Sequence, residues 1–139
     1  MKVGQYKGRR IAVFTRDEHC PPHVHLDGGD WSARFEFSFW HNGVSLLDVI
    51  PDTAWVPSQV RNDVIAIVKE RLFVAREGWM EATKNTCLEN QAWDETKRYV
   101  VKPNLAGRTL VNIQRGTYDP VERLTVLHLA DCTQVGIKL

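Results

Sequence analysis

Between Trp31 and Trp40 the odd positions are Trp31, Ala33, Phe35, Phe37 and Phe39, while the even ones include Ser32, Arg34, Glu36 and Ser38. Successive strand side chains point to opposite faces, so this alternation predicts a strand with one buried face. Upstream, Ile11-Ala12-Val13-Phe14-Thr15 is rich in strand formers and is closed by the polar Arg16-Asp17-Glu18, which predicts a first strand. Between the two lies Asp27-Gly28-Gly29-Asp30, and Gly28-Gly29 suits a two-residue hairpin loop because primed turns need positive φ. That loop sets Leu26 opposite Trp31, Val24 opposite Ala33, His25 opposite Ser32 and His23 opposite Arg34. A slip of one residue would turn the histidines toward the core, so the pattern fixes the faces.

His41-Asn42-Gly43 predicts a second hairpin, with Gly43 in the left-handed position. A three-residue loop there places Leu47 and Val49 opposite Phe37 and Phe35, and Asp48 opposite Glu36. From Ser58, a candidate cap, apolar residues recur at Val60, Val64, Ile67, Val68, Leu72, Ala75 and Trp79. Arg61, Lys69, Glu70, Arg76 and Glu77 turn outward, and Gly78 bends or ends the helix. A one-sided sheet and a one-sided helix cover each other. The expected fold class is therefore α+β: an antiparallel sheet of three to four strands packed on one long helix.

Beyond the helix, Thr86-Cys87-Leu88-Glu89 has the form of a capping box. Strand-like runs follow at Lys97 to Lys102, Arg108 to Gln114 and Arg123 to Leu129, separated by Pro103-Asn104-Leu105-Ala106-Gly107 and Gly116-Thr117-Tyr118-Asp119-Pro120. They form either a small sheet of their own or extra strands on the first. The expected organisation is a sheet-plus-helix core over 8–85 and a β-rich extension over 86–139.

Composition adds constraints rather than elements. The 139 residues, 43% hydrophobic and 25% charged, are enough for a buried core. No run approaches the roughly 20 apolar residues of a membrane span, and the segment Met1-Lys2-Val3-Gly4-Gln5 lacks an apolar signal core, so a cytoplasmic protein is expected. Cys20, Cys87 and Cys132 are odd in number, widely spaced and without a Cys-x-x-Cys pair, and read as reduced thiols. A net charge of +1 argues against a broad nucleic-acid surface, although residues 96–139 carry seven Lys+Arg against three Asp+Glu. Nucleic-acid binding through Lys97, Arg98, Lys102, Arg108 and Arg115 therefore ranks last.

The candidate chemistry lies in Cys20-Pro21-Pro22-His23-Val24-His25. His23 and His25, two apart on one strand, share a face with Arg34, Glu36 and Asp48. On one reading this is a protein-binding face. On the other, His23 and His25 ligate a divalent metal, with Glu36, Asp48 or His19 completing three ligands and leaving a position for water. Cys20 as a nucleophile lacks a group to orient its base. Phosphate loops, Gly-x-Ser-x-Gly and His-Glu-x-x-His are absent. The residues alone thus lean away from an enzyme and require no cofactor, a divalent metal excepted.

The run Asp17-Glu18-His19-Cys20-Pro21-Pro22-His23-Val24-His25-Leu26, then Gly28, Gly29, Ala33 and a helix ending near Trp79, resembles the bacterial domain of unknown function family 4160 over residues 8–82. Its hallmark is an acidic residue followed by Pro-Pro-His-Val-His. The resemblance implies a small prokaryotic interaction module of a toxin–antitoxin or similar regulatory pair, with a protein partner encoded nearby or a second copy of itself. A metal-dependent hydrolase, a ribonuclease among the options, is the alternative. The chain continues for more than fifty residues past the helix, where members of that family tend to stop.

Overall fold

A computed structural model gives the fold and describes residues 1–103 and 110–139. It divides into two compact units, Met1–Lys84 and Asn85–Leu139. The first holds β1 (Lys2–Tyr6), β2 (Arg9–Ala12), β3 (His23–Asp27), β4 (Ser32–Glu36), β5 (Ser45–Ile50), α1 (Ser58–Glu70) and α2 (Leu72–Thr83). The second holds β6 (Ala92–Asp94), β7 (Tyr99–Val101), β8 (Leu110–Asp119), β9 (Leu124–Leu129) and β10 (Gln134–Lys138). Each unit carries a five-stranded antiparallel sheet, in the order β1-β2-β3-β4-β5 and β10-β9-β8-β6-β7. The expected three- to four-stranded sheet on one long helix is thus corrected. Among the described residues the chain is mostly β, with two sheets and two helices.

The single helix fails at Arg71, whose φ of −117° and ψ of 22° leave the helical region. Its N–H closes back on the Val68 carbonyl at 3.0 Å, and its Nε donates to the Val3 carbonyl of β1 at 3.1 Å. An i→i−3 closure tightens the last turn of α1, and the guanidinium fastens the break to the sheet. Val64, Val68, Leu72, Ala75 and Trp79 are all buried on both sides of the break, so the apolar stripe runs through it. That continuity is why the periodicity predicts one helix. Gly78 does not end the helix. It sits inside α2, where an added Cβ would come within 2.9 Å of Met1 Sδ. Ser58 is the first residue of α1 rather than its cap, which is Pro57.

β1 is a strand the pattern did not announce. Lys7 (φ 47°) and Gly8 (φ 79°) join it to β2, two successive positive φ angles of the primed-turn kind. The β3–β4 register also departs from expectation: His23 pairs with Glu36, Val24 with Phe35, His25 with Arg34 and Leu26 with Ala33. The loop is longer than two residues because Gly28 N–H donates to the Trp31 carbonyl at 2.8 Å. The Trp31 ring lies where a Gly28 Cβ would sit, 2.4 Å from its nearest atoms. A shift of two residues leaves every side chain on its face, so Val24, Leu26, Ala33 and Phe35 are fully buried as the alternation requires. β4 is shorter than expected and ends at Glu36.

In the second unit Leu88, Ala92, Trp93, Ile113, Leu127, Leu129 and Val135 form the core. No helix starts at Thr86; its Oγ1 instead donates to the Gly116 carbonyl at 3.1 Å. Gly116 through Asp119, expected to separate strands, continues β8 and pairs with β9 from Leu127 to Leu124. The turn falls later, where Asp119 Oδ1 accepts from the N–H groups of Val121 (2.9 Å) and Glu122 (3.2 Å). The separator Asn104 to Gly107 and the first residues of the run from Arg108 lie outside the described residues.

Candidate metal centre

The loop between β2 and β3 builds the site. Val13 is still buried, but Phe14 and Thr15 are exposed, and Asp17 takes a left-handed φ of 60°. That conformation is uncommon outside glycine and reverses the chain. Glu18 then returns to the first residues of β3, and its side chain is only 4% exposed. Two prolines follow, with the Cys20–Pro21 bond cis, and fix the entry to the strand. The Phe37 N–H donates to the Pro22 carbonyl at 3.0 Å, which holds this entry against the end of β4.

His23 and His25 project from β3 and share Glu18. Glu18 Oε1 lies 3.0 Å from His25 Nε2 and 3.4 Å from His23 Nε2, and the three donor atoms all fall within 4.8 Å of one another. A tetrahedral ion with bonds of about 2.0–2.1 Å spaces its donors about 3.3 Å apart. The two separations from Glu18 Oε1 bracket that value, and the third, between the two imidazoles, lies within 4.8 Å. His23 Nδ1 lies 2.8 Å from the Pro21 carbonyl, which can only accept, so Nδ1 carries a proton and Nε2 turns to Glu18. Two lone pairs would then face each other across 3.4 Å, a conflict that a proton or a cation resolves. An Nδ1–H bound to a carbonyl is also the usual outer support of a metal-ligating imidazole.

His23 is 1% exposed. Trp79 of α2 closes on it with ring centroids 5.2 Å apart, and the His25 ring lies 4.8 Å away, edge-on. The open polar face expected around both histidines is therefore closed at His23. Burial lowers the pKa of His25, an effect that its hydrogen bond to Glu18 opposes. Burial thus favours the neutral imidazole, the form that binds metal.

The other expected site residues separate into a different group. Asp48 does not face Glu36 but pairs with Arg34, because a bulge between Arg34 and Phe35 shifts the β4–β5 register. Arg34 holds it in a two-bond fork, Nε to Oδ1 at 2.7 Å and Nη2 to Oδ2. Glu36 sits across the ladder from His23 and lines a cleft of about 260 Å³ with His41 and Ser45. His19 is exposed and takes no part in the cluster. Cys20 and Cys87 are disulfide-bonded and Cys132 is a free, exposed thiol, so the expectation of three reduced thiols is corrected. A disulfide sulfur is no thiolate, which removes Cys20 as a nucleophile. Of the basic residues weighed for nucleic acid, Arg98 is committed to Glu95 at 3.0 Å and lies over the Trp93 ring, while Arg108 is outside the described residues.

The Arg34 fork holds the Asp48 carboxyl below the usual carboxylate range. A carboxyl lowered in the folded state contributes stability above its unfolded value, near pH 4, and that contribution disappears as pH falls through the folded value. Both side chains are about one-third exposed, so solvent screening keeps the pair at about 1 kcal/mol or less. Asp48→Asn should lower stability by that amount at neutral pH, with the gap closing in acid. An equal gap at both pH values in urea titrations would contradict this assignment.

Glu18 closes the polar run after the first predicted strand, so the pattern alone does not group it with His23 and His25. The signal was nonetheless present: an acidic residue preceding Pro-Pro-His-Val-His. No protein-family profile, curated protein or solved structure matches the chain. Among the described residues, no helix is long and apolar enough to cross a membrane.

Proposed function

We propose that the Met1–Lys84 unit is a metal-dependent hydrolase that holds a divalent ion of the zinc class on Glu18 Oε1, His23 Nε2 and His25 Nε2. The convergence of those three atoms carries the reading. Two imidazoles and one carboxylate are a catalytic rather than a structural zinc set, since structural sites are rich in cysteine and use four protein ligands. Three ligands leave a position for water, whose proton the ion makes easier to remove. Glu36, across the ladder from His23, is the carboxylate assigned as base. Asp48 is committed to Arg34.

The toxin–antitoxin module suggested by the resemblance would use the same face to bind a protein. His23, buried beneath Trp79, offers little surface for that purpose.

Untagged protein should retain close to one equivalent of a first-row metal by elemental analysis. Zinc at about 100 times its Kd should stabilise the fold by about 2.7 kcal/mol. Glu18→Gln and His23→Ala should remove both effects, together with any hydrolysis of activated ester, phosphodiester or RNA substrates. Metal-free protein whose melting temperature does not respond to zinc, cobalt or manganese would sink the reading.

A further inference from the structure

Phe14 is an exception on this surface. It is 51% exposed, yet its ring stacks flat on His25, with centroids 3.7 Å apart and planes within 5°. Its backbone N–H donates to Glu18 Oε2 at 3.3 Å. One residue outside the ligand set therefore touches two of its three members by two separate means. The third member, His23, is oriented by the Pro21 carbonyl.

These contacts divide the work at the centre. The N–H contact on Glu18 Oε2 leaves Oε1 as the oxygen turned to both imidazoles. Two imidazoles and a carboxylate oxygen suit zinc and cobalt, whereas magnesium and calcium prefer six or more oxygens. An imidazole clamped on one face keeps its Nε2 aimed at a fixed point. A half-exposed phenylalanine gains little by burial, so its place is better explained by what it orients.

We propose that Phe14 is the positioning residue of the metal centre, its ring fixing the His25 imidazole by stacking so that Nε2 stays aimed at the ion and completes a four-coordinate site. This inference rests on the metal-binding reading above. Outer partners of this kind typically change metal affinity by about 10–100-fold.

The test uses the full chain and zinc, with affinity read by competition against a chromophoric chelator and geometry read from the visible spectrum of the cobalt(II) form. Phe14→Ala keeps the backbone N–H and removes only the ring. It should weaken zinc about 10–100-fold and reduce the intense four-coordinate cobalt bands, while helical circular dichroism stays unchanged. Phe14→Trp, which retains a stacking face, should restore both. A simple loss of packing would lower the melting temperature of the metal-free protein without altering the cobalt spectrum, and that outcome would overturn the inference. So would wild-type affinity and an unchanged spectrum in Phe14→Ala. If the wild type binds neither zinc nor cobalt, the metal reading itself fails and takes the inference with it.

Discussion

Replacing Trp79 by alanine should cost about 3–5 kcal/mol, the range for removing a fully buried large aromatic from a core. Trp79 has no exposed surface and meets Phe37 edge-on, with centroids 6.3 Å apart, as well as His23. Little nearby can collapse into the space, because Phe35, Phe37 and Phe39 are each 1% exposed or less. Among the described residues both helices lie in Met1–Lys84, so ellipticity at the helical band during urea unfolding reports on this unit. Trp55→Ala is the matched control: at 79% exposed it should change stability by no more than about 0.5 kcal/mol. Similar losses for the two variants would show that Trp79 does not bear on the core. Because the same ring covers His23, Trp79→Ala should also weaken zinc binding, whereas Trp79→Phe, with a ring still in place, should weaken it less.

The legible part of this fold is the set of faces. Alternation placed Val24, Leu26, Ala33 and Phe35 on the buried side even though the pairing is two residues from the expected one, since face depends on parity and register on loop length. Loop length was set by the Trp31 ring lying against Gly28, a contact between side chain and backbone that periodicity does not encode. The helix break was hidden for a related reason. Arg71 leaves the helix to reach the Val3 carbonyl, while the apolar stripe continues as if nothing had happened.

The site was legible by halves. His23 and His25 were recognisable from their spacing. Glu18 joins them only because Asp17 reverses the loop and the two prolines stiffen its return, a tertiary event in a stretch that reads as the polar end of a strand. The Arg34–Asp48 pair was visible as residues but not as a pair, because the bulge that aligns them shifts the β4–β5 register.

Arg76→Ala should cost about 2–4 kcal/mol, through buried carbonyls left without a donor and the lost packing of the side-chain stem. Helical periodicity turns Arg76 outward, yet it is 3% exposed. The reason lies beyond β4, which stops at Glu36. The segment that follows turns acceptors to the guanidinium: Nε donates to the Ser38 carbonyl, and Nη2 to the His41 carbonyl and Asn42 Oδ1, each at 2.9 Å. Its charge also bears on His41, whose pKa is lowered first by burial and then by this neighbour. Arg76→Met separates the two contributions, since it keeps the stem and removes every donor. If hydrogen bonding dominates, the methionine variant should lose nearly as much as alanine, and amide exchange across 37–44 should accelerate in both. Arg76→Lys should recover only part of the loss, because a single ammonium cannot span three acceptors arranged for a planar fork. A methionine variant as stable as the wild type would mean that Arg76 acts by filling space, and that the 37–44 segment is held by something other than the guanidinium.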